Sequence, residues 1–383
     1  MTDDRLARVT LSRIVEPGNW AVWTAAEQRG PVEVVRVLSA GGALPGVSRD
    51  LAAGAAARAE GYQPERDLAT LDRAGGRLIC PDDAEWPEHQ LSWSLPDRRY
   101  APPLALYVRG PRPLAPTVER SVAVVGARAA TAYGVHVAGE LGLGLADAGC
   151  AVVSGGAYGI DAAAHRGALL SDRAGTIAVL ACGIDVAYPR GNDRLLDTIG
   201  RQGLIVSELP PGCSPTRIRF LVRNRIIAAL TLGTVVVEAA IRSGSLSTAA
   251  RARELDRWVM AVPGPVTSAM SACAHAELRR PGTTCVTSAA EVLDTVGRMG
   301  DDAADPARAA PAPRDQLDET VRRVLDAVPV RAGAGEASIA KTAGVSALVV
   351  QQVLPPLLVA GLVERVDTGW RLTALGAGRP ART

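Results

Sequence analysis

The sequence predicts an α/β fold built on a doubly wound parallel sheet. Between residue 119 and about 297, apolar runs of four or five residues alternate with stretches of helical periodicity. The runs are rich in Val and Ile and are not interrupted by polar residues, the pattern of strands buried on both faces. Glycine-rich turns follow several of them, at Gly126 and at Gly155, Gly156 and Gly159. Those are the places where an open α/β sheet binds its ligands.

Residues 1 to about 75 come first and show helical spacing, with Leu6, Val9, Leu11 and Ile14, then Val32, Val35 and Leu38, then Leu51 to Leu71. Breaks at Gly41-Gly42 and Pro45-Gly46 make this a small helical domain. Residues 76–118 are rich in proline and carry Trp86, Trp93, Tyr100 and Tyr107, which predicts a connector laid against the core, with a short strand at Leu104–Val108. The sheet follows over 119–297, with strands expected at Val122–Val125, Ala151–Ser154, Thr176–Leu180, Leu204–Ser207, Thr234–Val237, Val259–Val262 and Thr284–Val286. Residues 298–316 form a Gly/Ala/Pro/Asp linker. The last unit, 317–375, predicts three helices and a hairpin turning at Asp367-Thr368, a winged helix-turn-helix outline.

Composition excludes several classes. The 383 residues are 48% hydrophobic but only 3% aromatic, with the single phenylalanine at Phe220. The core is therefore aliphatic. Net charge is +2, so a nucleic-acid site must be a local concentration of arginine. Six scattered cysteines without a CxxC pair argue against a zinc site and for reduced thiols in the cytoplasm. No signal peptide and no apolar run of membrane-spanning length is evident.

Four segments supply the expected site. Val124-Val125-Gly126-Ala127-Arg128 is a strand ending in a turn that projects an arginine. It lacks GxGxxG and a ribose-binding acid, which disfavours a dinucleotide. Ser154 to Asp161 is a strand, glycine turn and helix start, a layout that offers bare N–H groups to an anion. Asp161 either caps that helix or touches ligand. The Asp161–His165 spacing suits a helix-surface hydrogen bond better than acid–base work. No nucleophile or metal set stands beside them. Arg217 to Arg225 holds four arginines in nine residues together with Phe220 and Asn224, and the charge stops where the apolar run Ile226–Leu230 begins. Guanidinium groups suit phosphodiesters and a phenyl ring suits an unpaired base. Ser243, Gly244, Ser245 and Thr248 open another helix as a further anion cradle. Several cradles along one sheet edge fit a polymer backbone better than one nucleotide.

The motifs VGARAATAYG, VSGGAYGIDAAAHRGAL, TIAVLACGIDVAYPRGN, GLIVSELPPG, RNRIIAAL, VVVEAAIRSGSLSTA and VMAVPG occur in this order. Together they strongly resemble the DNA-processing protein DprA (Smf) family. The resemblance implies an extended Rossmann-type fold and binding of single-stranded DNA. It also implies loading of the RecA recombinase during natural transformation and a homodimer; with no nucleophile or metal set beside Asp161 and His165, no cofactor and no catalytic turnover are expected. By motif, the implied DNA contacts are Gly126 and Arg128; Ser154, Gly155, Gly156 and Gly159; Phe220, Arg223, Asn224 and Arg225; and Ser243, Gly244 and Ser245. The chain departs from the family at Leu221-Val222, where Phe-Pro is usual, and over Ser268–Thr284, where the family's dimer contacts often lie. Leu278 is the apolar candidate there, expected exposed on a short helix. A nucleotide phosphoribohydrolase is the alternative reading. Its PGGxGT–Glu signature is absent, although Glu238 follows a strand. A sequence-specific regulator is disfavoured because Ser346–Ala360, the recognition-helix position, carries no Arg or Lys.

Overall fold

Continuous burial of the aliphatic runs produces the sheet the sequence predicts, in a computed structural model that describes residues 3–92, 100–239, 244–297 and 317–376. The chain divides into two compact units, Met1–Ala304 and Asp305–Thr383. In the first, the strands are β1 (Gly76–Ile79), β2 (Leu106–Arg109), β3 (Ser121–Val125), β4 (Ala151–Ser154), β5 (Thr176–Leu180), β6 (Leu204–Ser207), β7 (Gly233–Val236), β8 (Trp258–Ala261) and β9 (Thr283–Cys285). They form one sheet in the order β1-β2-β6-β5-β4-β3-β7-β8-β9. Strands β3 to β9 pair in parallel. Every residue of β3 to β7 is buried, which is why these strands show no polar alternation.

Alternate residues of a strand enter different cores, so the sheet is covered on both faces. Ala123 and Val125 of β3 join one cluster with Ile226 and Ile227 of the Arg217–Ala229 helix. Val122 and Val124 join another with Leu141 and Leu145 of the Ala132–Asp147 helix and Ile160 of the Ile160–Ala168 helix. From β3 the chain winds outward through β4, β5 and β6, then returns to the other side of β3 to build β7, β8 and β9. That reversal opens a crevice at the carboxyl ends of β3 and β7.

The segment expected as a connector is part of the sheet. β2 pairs antiparallel with β6, and β1 pairs antiparallel with β2, so the sheet is mixed. The reading missed β1 because GRLI is short and follows a glycine turn. Trp86 and Tyr107 are buried in the sheet cores, and the Tyr100 ring lies under the Arg251 guanidinium at 5.0 Å. Trp93 falls outside the described residues.

Five helices, Asp3–Ile14, Trp20–Arg29, Pro31–Ser39, Arg49–Ala59 and Pro64–Arg73, precede the sheet; the first four pack around their own apolar core of Leu11, Ile14, Val34 and Leu38, and Leu71 of the fifth joins the sheet core. Arg13 joins them to it, bonding Asp67 at 2.7 Å and the Pro211 carbonyl at 2.7 Å. The second unit has helices Glu319–Ala327, Glu336–Ala343 and Ala347–Val359, then an antiparallel hairpin of β10 (Val363–Val366) and β11 (Gly369–Leu372). These are the three helices and the hairpin expected from the sequence. Its core holds Leu325, Ile339, Leu354 and Trp370. Among the described residues no single helix is long and apolar enough to cross a membrane.

Burial begins earlier in the Arg217–Ala229 helix than the charge pattern suggests, since Val222, Arg223, Asn224 and Arg225 are all buried. Arg225 is fully enclosed and bonds both carboxylate oxygens of Glu208, at 2.8 and 2.9 Å. It ties the central helix to the end of β6 and does not open onto the crevice. Removing one partner of such a pair strands the other charge in a poorly solvated place, at a cost of about 3–5 kcal/mol. Arg225→Ala is therefore expected to lower the urea unfolding midpoint strongly, and a paired Arg225→Met, Glu208→Gln variant to recover much of it. An unchanged midpoint in Arg225→Ala would show that the pair contributes nothing to stability.

Candidate nucleic-acid interface

The glycine turn after β4 is organised by a carboxylate of its own chain. Asp161 sits in the first turn of the Ile160–Ala168 helix and reaches back to accept the N–H groups of Gly155 at 3.1 Å and Ala157 at 3.3 Å. The cradle that the sequence reading left bare for an anion is filled internally. Gly155 and Gly156 are buried, and the Ser154 hydroxyl donates to the Val124 carbonyl at 2.7 Å, stitching β4 to β3. These three positions shape the turn; their polar groups do not face the crevice.

Beneath the turn lies Arg223. Its guanidinium donates to the Gly155 carbonyl at 3.0 Å and to the Val179 carbonyl, joining the ends of β4 and β5. A Cβ on Gly155 would stand 2.5 Å from this guanidinium, so the position needs glycine for close approach. Gly159 has φ +73°, and a side chain there would strike the carbonyl oxygen of Ala127 in the β3 turn. Burial pushes Arg223 down to about 10, against the pull of Asp161 and Cys182. Burial likewise raises Asp161, opposed by Arg223 and by the two N–H bonds. Each keeps the other's charge tolerable in a desolvated site.

His165 takes no part in an acid–base pair with Asp161. It is fully buried, and its Nδ1 lies 2.7 Å from the Thr176 hydroxyl, which donates to the Val152 carbonyl at 2.7 Å. Glu238 is also structural: its carboxylate accepts the Thr131 N–H at 2.9 Å and the Thr131 hydroxyl at 2.7 Å, at the start of the Ala132–Asp147 helix. Among the described residues no group of three or more His, Cys, Asp or Glu is placed to hold a metal ion.

The crevice itself is a cavity of about 820 Å³ at the β3/β7 reversal. It brings together Gly126 and Arg128, Phe220 and Asn224, and Gly244 and Ser245, three segments that the sequence spreads over 120 positions. Arg128 is exposed, and its guanidinium lies over the Phe220 ring at 5.0 Å. Arg223 stands 6.0 Å from the same ring. Asn224 donates to the Gly244 carbonyl at 3.2 Å, holding the turn that starts the Ser245–Glu254 helix. Ser243 lies outside the described residues. Exposed Arg217 lines the cavity, whereas Arg219 turns away to pair with Glu16 at 2.7 Å. The site reading missed Tyr188, which lines the cavity and packs on Phe220 with ring centroids 5.4 Å apart. Its signal was the aromatic in AYPRGN, between the end of β5 and the next helix.

The resulting surface is a polar and aromatic slot with two exposed arginines, Arg128 and Arg217, between the Gly126–Arg128 turn and the Gly244–Ser245 turn. The family model of DNA recombination-mediator protein A matches residues 77–297, from β1 to the end of the sheet. The chain belongs to that family. It is 46% identical over 379 residues to the putative DNA processing protein DprA of Mycobacterium tuberculosis, covering 97% of this chain and 95% of that one. The DNA processing protein DprA of Streptococcus pneumoniae is 45% identical over 172 residues, 45% of this chain and 60% of that one. The X-ray structure of DNA processing protein A from Streptococcus pneumoniae covers 78% of this chain and 99% of its own, at 30% identity and a TM-score of 0.60. In this DprA-family chain the matched region includes β1 and β2, in keeping with their place in the sheet.

Burial, with the nearby positive charges of Arg223 and Arg166, pulls His165 down to about 3. The unfolded imidazole titrates near 6.5. Between those values the unfolded chain binds a proton that the folded chain refuses, so the stability present above about pH 6.5 is lost as pH falls toward 3. Asp161, raised by burial, acts in the opposite sense. Comparison with His165→Gln isolates the histidine: the variant's urea midpoint should fall less steeply than wild type between pH 7 and 4. Parallel curves would show that His165 binds protons equally in both states.

Proposed function

We infer that this protein binds single-stranded DNA in the crevice, without regard to sequence, and passes the strand to the RecA recombinase during DNA uptake. The observation that carries the reading is Phe220, half-buried at the crevice with Arg128 over its ring. A phenyl face beside a guanidinium takes an unpaired base and its phosphate together, and a duplex offers no free base face. The turns at Gly126–Arg128 and Gly244–Ser245 supply the remaining backbone contacts, with Asn224 holding the second in place. Ser154, Gly155, Gly156, Gly159, Arg223 and Arg225 support this surface from below.

The DNA-processing names of the relatives and the family's motif order support the same reading. The recombinase and homodimer roles rest on the resemblance alone. Leu278, the expected dimer contact, is half-buried against the sheet core instead of standing exposed, because the Ala272–Leu278 helix packs that face inward. A phosphoribohydrolase reading draws less support, since the Glu238 carboxylate is engaged by Thr131 and does not line the crevice.

Fluorescence anisotropy should show tight binding of an unstructured oligonucleotide and weaker binding of the matched duplex. Arg128→Ala should weaken single-strand binding, melt normally and reduce the slope of log affinity against log salt by about 0.7, one phosphate contact. Equal affinity for duplex would sink the reading. A wild-type salt slope in Arg128→Ala would remove Arg128 from the interface. Light scattering at tens of micromolar should give a dimer, and a monomer there would refute the homodimer.

A further inference from the structure

We propose that Tyr158 and Tyr188 form a second base-stacking station, beside Phe220 at the rim of the main crevice, so that the strand is gripped through at least two bases. The proposal rests on the single-strand reading above and extends it to residues on two other loops. Tyr158 lies in the glycine turn after β4 and Tyr188 in the loop after β5, and both rings are exposed, at 46% and 38%. A lone exposed aromatic means little. These two are held in place, and they adjoin the crevice. Arg128, Tyr158, Tyr188, Pro189 and Phe220 line one shallow hollow, and Arg128, Tyr188 and Phe220 line the main cavity as well.

The two loops are stitched together. Asn192, 2% exposed, donates through Nδ2 to the carbonyls of Gly156 at 2.9 Å and Ala157 at 3.1 Å. The Tyr158 hydroxyl accepts the Gly191 N–H at 3.1 Å. A Cβ at position 191 would stand 2.5 Å from that hydroxyl, so glycine lets the phenol lie down over the loop. Tyr188 is set by its contact with Phe220, tilted at 46°. Two large, partly exposed rings are thus held in place before any ligand arrives, which cuts the ordering cost of binding. Exposed Arg190 and Arg128 flank them with positive charge. Flat apolar faces beside guanidinium groups suit a nucleobase on a phosphodiester chain, whatever its sequence.

The test uses anisotropy on the full chain with two probes: a thymidine oligonucleotide, and a strand of the same length whose residues are all abasic. Tyr158→Ala and Tyr188→Ala should each weaken binding of the thymidine strand by roughly 5-fold or more. Binding of the abasic strand should be unchanged, as should the salt slope, because no phosphate contact is lost. Tyr188→Phe keeps the ring and its packing and should restore affinity to near wild type, whereas Tyr158→Phe keeps the ring but loses the Gly191 bond and should fall between wild type and Tyr158→Ala. Wild-type affinity in both alanine variants would overturn the station. Equal loss on both strands would also overturn it, since it would mean a backbone contact or a damaged fold. If the wild-type protein binds neither strand, the single-strand reading fails instead. Base-dependent binding in wild type, lost in Phe220→Ala but intact in the tyrosine variants, leaves that reading standing and removes only this extension.

Discussion

The carboxylate of Asp161 inside the Gly155–Ala157 turn is the interaction on which the rest of the site depends. It satisfies two N–H groups that the turn after β4 would otherwise leave open, and it sets a buried negative charge beside Arg223. Arg223 in turn bonds carbonyls at the ends of β4 and β5. The two charges tolerate burial only together, and together they clamp two neighbouring strand ends and the first turn of the Ile160–Ala168 helix. The glycines serve this clamp: Gly155 leaves room for the guanidinium, and Gly159 lets the helix start against the β3 turn.

Filling one cradle from within moves the ligand surface elsewhere. What remains accessible at the sheet reversal is the Gly126–Arg128 turn, the crevice face of the Arg217–Ala229 helix and the Gly244–Ser245 turn. Their positive charge is local, as a net charge of +2 demands. Several guanidinium groups near them are already committed. Arg225 is locked to Glu208, Arg219 to Glu16 and Arg223 to backbone carbonyls. Arginine in this chain therefore does two jobs, joining elements that aliphatic side chains cannot join and offering charge at the surface. Only burial separates the two.

The same division applies to the aromatic residues. In a core built from small aliphatic side chains, the aromatics at strand ends are free to be placed for contact. Phe220, Tyr188 and Tyr158 cluster around Arg128 at the mouth of the crevice. Trp86 and Tyr107, by contrast, are buried in the two sheet cores, Tyr107 within β2 where it pairs antiparallel with β6.

By itself the sequence determined the sheet, the order of its strands along the chain and the helices that cover it. Those follow from local period and from unbroken Val/Ile runs, which allow few alternatives once both faces must be buried. The helices that begin after Thr131, Thr216 and Ser288 are each capped by that residue's own side chain, a local device the sequence reading did not single out. The strand at β2 was legible, but β1 and the antiparallel pairing of both at the β6 edge were not, because a four-residue strand such as GRLI pairs only when an edge is there to receive it. Nor was the sorting of RIRFLVRNR, whose charge pattern looks uniform. Tertiary structure alone decided that Arg217 faces the crevice, Arg219 the N-terminal helices, Arg223 the glycine turn and Arg225 the interior. Which partner an arginine meets depends on carbonyls and carboxylates brought in from distant positions, and no local pattern records their arrival.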